Sequence, residues 1–152
     1  SPQNPLKEEV TLLNAAIRLR LVSAGIESDD RFQVSDIEFK MPLPSYTIET
    51  LQAIEKENPN NQFSVIVGSD SYLNLPHWKE YGQLIQKNII VYPRPGYATA
   101  EIPKQSNIIV LKSGLLDISS TAVRNLIGNG KSIRYLVPDK VLSEIEDNNY
   151  YK

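Results

Sequence analysis

Near the C-terminus of this 152-residue chain, Ser119, Ser120 and Thr121 stand in a row, and Arg124 follows. A helix leaves its first N–H groups without intrahelical partners, and its dipole favours an anion there. Hydroxyl groups add donors, and a guanidinium four residues after Ser120 shares its helical face and can fork onto phosphate oxygens. A serine N-cap with a solvated arginine accounts for the same four residues. The pattern by itself leaves both readings open.

Other groups raise similar questions. Gly68-Ser69-Asp70 follows the apolar run "FSVIV". A glycine there admits close approach to the backbone, and a carboxylate just beyond it suits a pair of ribose hydroxyls. A turn capped by Asp70 is the plainer account. Trp78, the single tryptophan, lies after Pro76 in "LPHW"; it could stack on a heterocycle or sit in the core. Ser45, Tyr46 and Thr47 in "PSYTIET" open a helix whose free N–H groups suit a carboxylate, or supply its cap. Arg94 stands between prolines in "YPRPGY", fit for phosphate or for bracing its loop. Lys7 in "SPQNPLK" is a mobile cation by default. His77 is the sole histidine and there is no cysteine, which makes a transition-metal site of His and Cys ligands a poor reading.

These residues need elements to position them. Apolar spacing from Leu12 to Ala24 predicts a helix. "FQVSDIEF" alternates imperfectly through Phe32, Val34, Ile37 and Phe39 and reads as a short strand. "SYTIETLQAIEKEN" reads as a helix capped by Ser45 or Thr47. "FSVIVG", "NIIVY" and "NIIVL" are the near-continuous apolar runs of strands covered on both faces. "SYLNLPHWKEYGQLIQK" reads as two short helical pieces, broken at Pro76 and Gly82. The serine cluster leads into a helix to about Ile127, and "VPDKVLSEIEDNN" forms the last, with Pro138 near its first turn. This alternation predicts an α/β fold, Rossmann-like and doubly wound, with a mostly parallel sheet and helices on both faces. In such folds ligands bind beyond the carboxyl ends of the strands, where the glycine, the acid, the arginine and the serines all fall.

Composition narrows the class. The length suits one domain spanning residues 1–152. A net charge of -2 argues against a basic nucleic-acid-binding face. No apolar run approaches the roughly 20 residues of a membrane span. The absence of cysteine is compatible with a cytoplasmic setting.

Taken together, "VGSDSYLNLPHW", "YPRPGY", "PSYTIETL" and "DISSTAVRNLI" resemble the bacterial nicotinate-nucleotide adenylyltransferases of the nucleotidyltransferase superfamily. "SPQNPLK" and "LVPDKVLSEI" extend the resemblance to nearly the whole chain. It implies adenylyl transfer from ATP to nicotinate mononucleotide, with Mg²⁺, giving nicotinate adenine dinucleotide and pyrophosphate. The resemblance further implies that Ser119, Ser120, Thr121, Arg124 and Lys7 meet the ATP phosphates, and that Gly68 and Asp70 contact the adenosine. On the mononucleotide side it implies Trp78 stacked on the pyridine ring, Tyr46 and Thr47 lining the carboxylate pocket, and Arg94 nearby. It implies a cytoplasmic enzyme and leaves monomer and homo-oligomer open.

One departure matters. The family's N-terminal strand, helix and second strand, with their H-x-G-H motif, have no counterpart here, so no catalytic residue is assigned. The expectation is a C-terminal part of an enzyme longer by roughly 40 residues, the size of a βαβ unit, with little activity of its own. Alternative readings are an adenylyltransferase for nicotinamide mononucleotide or another small phosphate, and a non-catalytic nucleotide-binding fragment.

Overall fold

The structure is a computed structural model describing residue 2 and residues 12–27 and 29–152. The chain divides into two compact units, Ser1–Ser45 with Ile118–Lys152, and Tyr46–Asp117. In chain order the elements are α1 (Ala15–Ile26), α2 (Thr47–Glu57), β1 (Ser64–Gly68), α3 (Ser69–Leu73), α4 (Tyr81–Leu84), β2 (Asn88–Tyr92), β3 (Ile108–Val110), α5 (Ser120–Gly128) and α6 (Asp139–Asp147). Short 3₁₀ turns occupy Ile37–Lys40 and Leu75–His77.

The Tyr46–Asp117 unit holds the sheet. Its strands run parallel in the order β1-β2-β3, as the alternation of elements predicts. Parallel neighbours require crossovers; α3, the 3₁₀ turn and α4 form the first. The second, residues 93–107, has no helix and sends Ile102 into the core.

Register sorts the strand side chains by face. Val65, Ile89 and Ile108 align, as do Val67, Val91 and Val110. These six join Ile48, Tyr72, Leu75 and Leu84 in one apolar cluster. Burying a side chain of this size contributes about 1.5–3 kcal/mol, so this face anchors the unit. The opposite row is Ile66, Ile90 and Ile109. Ile66 is 70% exposed and Ile109 57%, so β1 is not covered on both faces as its sequence suggests. An apolar run specifies a strand that can be covered, whereas cover itself depends on what packs there.

The other unit centres on Ile127, Ile133 and Ile145, with Leu21, Val141 and Leu142 packed against them. Asn14 caps α1 by accepting from the Ala16 N–H at 2.8 Å. α1 meets α6 closely enough that a Cβ on Gly25 would lie 3.4 Å from Val141 Cγ2. The partly exposed ion pair Arg20–Glu144 and the exposed pair Lys140–Glu27 trim that contact and add little stability.

Two local expectations fail. "FQVSDIEF" forms no strand; residues 32–36 are irregular and Ile37–Lys40 is a 3₁₀ turn. Its apolar spacing jumps from two to three at Ile37, and only Ile37 is buried, with Phe32 and Phe39 exposed. Neither Ser45 nor Thr47 is the N-cap residue of α2. The N-cap position is Tyr46, with extended backbone and no capping side chain, and Thr47 is already the first helical residue.

Candidate active site

In the first unit, the serine cluster forms a helix start as its sequence predicts. Ser119 is the N-cap of α5, its Oγ accepting from the Ala122 N–H at 3.1 Å. Ser119→Ala is expected to cost about 1 kcal/mol of stability, read as a lower urea midpoint at unchanged slope; an unchanged midpoint would show that the cap contributes nothing. Arg124 Nη2 donates to Thr121 Oγ1 at 3.2 Å, which holds the guanidinium along the first turn. An open cavity of about 570 Å³ borders this helix start, with Ser119, Ser120, Arg124, Arg18 and Tyr151 on its wall. Burial raises the Tyr151 hydroxyl above the ordinary tyrosine pKa, against the opposing pull of Arg124 and Arg18. Two guanidinium groups therefore act on one cavity wall. Arg18, one of "IRLRL", gives no sequence signal beyond its charge.

In the second unit, β1 ends at Gly68, the N-cap of α3. A Cβ there would collide with Asp70 Oδ1 and lie 2.8 Å from Arg94 Cδ, so only glycine lets these side chains close over the strand end. Arg94 Nε lies 3.9 Å from Asp70 Oδ1, an ion pair without a hydrogen bond. Asp70 is thus not the cap of its turn. Asp70 Oδ1 and Trp78 Nε1 are buried without hydrogen-bond partners among the described residues. Such atoms cost about 1–3 kcal/mol each unless something else satisfies them.

Ser69, between these residues, is fully buried and accepts from the Arg94 N–H at 2.9 Å. It ties the loop after β2 to the start of α3 across 25 residues of sequence, a link with no local sequence signal. The same loop turns at Arg94–Tyr97, where Gly96 takes φ +81°, as a type II turn requires of its third residue.

Trp78 is half-buried and packs against the cluster containing Ile48, as the core reading expects. The α2 start lies in the same unit. Lys79 Nζ sits 4.3 Å from the Tyr46 ring centroid and 2.5 Å from Glu49 Oε1. The hydrogen bond to Glu49 holds the Lys79 pKa above its usual value. Neither Lys79 nor Glu49 stands out in the sequence. Lys7 lies outside the described residues.

The hydroxyl-and-arginine helix start and the glycine–acid strand end, on a parallel α/β framework, define a nucleotidyltransferase-type fold. Residues 1–126 match the cytidylyltransferase-like family. A Cytophaga hutchinsonii protein named "Probable nicotinate-nucleotide adenylyltransferase" is 39% identical over 152 residues, covering 99% of this chain and 79% of its own length. Bacteroides fragilis and Flavobacterium johnsoniae proteins of the same name are each 40% identical, covering 95% and 100% of this chain and 73% and 80% of their own lengths. The chain belongs to the nicotinate-nucleotide adenylyltransferases of the cytidylyltransferase-like family.

The fold is shared with Plasmodium falciparum nicotinic acid mononucleotide adenylyltransferase. Its structure complexed with NaAD has a TM-score of 0.69 at 17% identity, covering 95% of this chain and 78% of that one. Its structure complexed with APC gives 0.70 at 18%, covering 92% and 77%. No helix of the described residues is long and apolar enough to cross a membrane.

Proposed function

We propose that this chain carries the substrate-binding surfaces for adenylyl transfer from ATP to nicotinate mononucleotide, a cytoplasmic step in NAD biosynthesis. The observation that carries the reading is its 39–40% identity to relatives of that name over nearly its whole length. A phosphate oxygen of the mononucleotide attacks the α-phosphorus of ATP. The new P–O bond forms as the bond to the β-phosphate oxygen breaks, and pyrophosphate leaves. Such chemistry depends on positioning and on stabilising developing negative charge.

Ser119, Ser120, Thr121 and Arg124 take the ATP phosphates, supported by the donor-rich start of α5. Capping by Ser119 does not compete with this, because a helix start has several N–H groups to satisfy. Lys7 takes the same role by resemblance. Gly68 and Asp70 take the adenosine, Asp70 at the ribose, supported by a carboxylate oxygen that lacks a hydrogen-bond partner among the described residues. Trp78 meets the pyridine ring, Tyr46 and Thr47 offer the start of α2 to its carboxylate, and Arg94 braces Asp70.

No group of three or more His, Cys, Asp or Glu among the described residues could hold a metal. Hydroxyl, guanidinium and N–H donors suit phosphate oxygens, and Mg²⁺ is commonly carried on substrate phosphates with its waters. Mg²⁺ would neutralise phosphate charge there.

Residues 1–152 read as one nucleotidyltransferase-type domain, spanning 73–80% of the length of the relatives of that name. Calorimetry on the chain is expected to show binding of ATP and of nicotinate mononucleotide, with little pyrophosphate release in a coupled assay. Absence of binding to both ligands would overturn the functional reading. Efficient turnover would overturn the expectation of little activity in this chain.

A further inference from the structure

We propose that the Lys79–Glu49 pair sets the charge at the start of α2 and so makes this site select an anionic pyridine substituent over a neutral one. The inference rests on the reading of α2 as the carboxylate end of the mononucleotide pocket.

Glu49 is the third helical residue after the N-cap Tyr46. A glutamate at that position ordinarily reaches back to the N-cap N–H, closing a capping box, and its charge offsets the helix dipole. Both effects oppose an incoming carboxylate, since one consumes a donor and the other cancels the field. Here Glu49 Oε1 is instead held by Lys79 Nζ at 2.5 Å. The N-cap residue Tyr46 supplies no side-chain cap of its own. The lysine thus neutralises the glutamate and keeps it off the helix start.

The same ammonium lies 4.3 Å from the Tyr46 ring centroid, which fixes the N-cap residue from its ring side. Lys79 also follows Trp78, whose ring packs against the cluster containing Ile48, the second residue of α2. The proposed stacking ring and the proposed carboxylate end are therefore linked through one lysine. A neutral carboxamide gains little from this arrangement, because neither the helix field nor the compensated charge acts on a net charge.

Trp78 is the only tryptophan, so its fluorescence reports ligands at this site. The test titrates the 152-residue chain with nicotinate mononucleotide and nicotinamide mononucleotide. Lys79→Met is expected to weaken the nicotinate ligand by about tenfold, the combined scale of a lost cap site and an uncompensated charge. The nicotinamide ligand should change by less than about twofold, within the small worth of an exposed ion pair. Adding Glu49→Gln to Lys79→Met should restore nicotinate binding, because the repelling charge is gone. Glu49→Gln alone should tighten it, because Lys79 is no longer neutralised.

Equal weakening of both ligands by Lys79→Met, or no restoration in the double variant, would reduce the pair to a structural brace and overturn the proposal. Weaker nicotinate binding by Glu49→Gln alone would overturn it too, without relying on Lys79→Met folding. A wild-type chain silent to both ligands would instead overturn the functional reading beneath it.

Discussion

Gly68→Ala is expected to weaken ATP binding by about ten- to a hundredfold, the worth of charge-assisted hydrogen bonds made by a displaced carboxylate. The backbone at Gly68 is ordinary, with φ -70° and ψ 155°, so the effect is steric and not conformational. The added Cβ would collide with Asp70 Oδ1 and crowd Arg94 Cδ at 2.8 Å. Both side chains can move, but moving them takes the carboxylate from the place proposed for the ribose. Stability should change little, because losing a glycine's freedom in the unfolded chain offsets part of the crowding. Gly82→Ala is the control: a Cβ there meets nothing within 4 Å, so affinity should hold. Calorimetric titration and a melting curve read both quantities. An unchanged ATP affinity in Gly68→Ala would remove Asp70 from the nucleotide site.

Arg124→Ala carries the second large effect. ATP affinity is expected to fall by about ten- to a hundredfold through loss of a charge-assisted contact to phosphate. Adenosine affinity should stay the same, because adenosine presents no phosphate to this residue. Arg124→Lys should recover only part of the loss, since an ammonium lacks the planar fork. Thr121→Ala should have a smaller effect of the same kind, because it removes an uncharged hydroxyl donor and the 3.2 Å hydrogen bond that steadies the guanidinium, while the guanidinium itself remains. Equal losses for ATP and adenosine would mean that Arg124 supports the fold of its unit and not the phosphate.

The two positions differ in how far the sequence reveals them. The start of α5 is legible because a cap is local: Ser119 reaches the N–H of Ala122 three residues on, and Arg124 reaches Thr121 on the adjacent turn. The three parallel strands are legible for a related reason. "FSVIVG", "NIIVY" and "NIIVL" are apolar throughout, and β-branched runs of that length favour strands wherever neighbours exist. "FQVSDIEF" has similar residues but broken spacing and little burial, and no neighbour completes it as a strand.

The end of β1 is only half legible. Glycine followed by an acid marks a possible strand-end site. That Asp70 faces Arg94, and that buried Ser69 anchors the Arg94 backbone, depends on a pairing 25 residues apart in sequence. At α2, local propensity pointed to Ser45 or Thr47 as the cap. The N-cap position instead falls on Tyr46, whose side chain makes no cap, with Lys79 over its ring.

The sequence by itself determined the parallel α/β class, the strands, the serine-capped α5 and the family, because local propensity, apolar runs and linear motifs are written along the chain. Only the tertiary structure decided which face of the sheet is buried, that Gly68 must be glycine to let Asp70 and Arg94 close over it, and that Lys79 restrains Glu49. Those outcomes depend on side chains brought together from distant positions, where packing and charge pairing, and not propensity, set the arrangement.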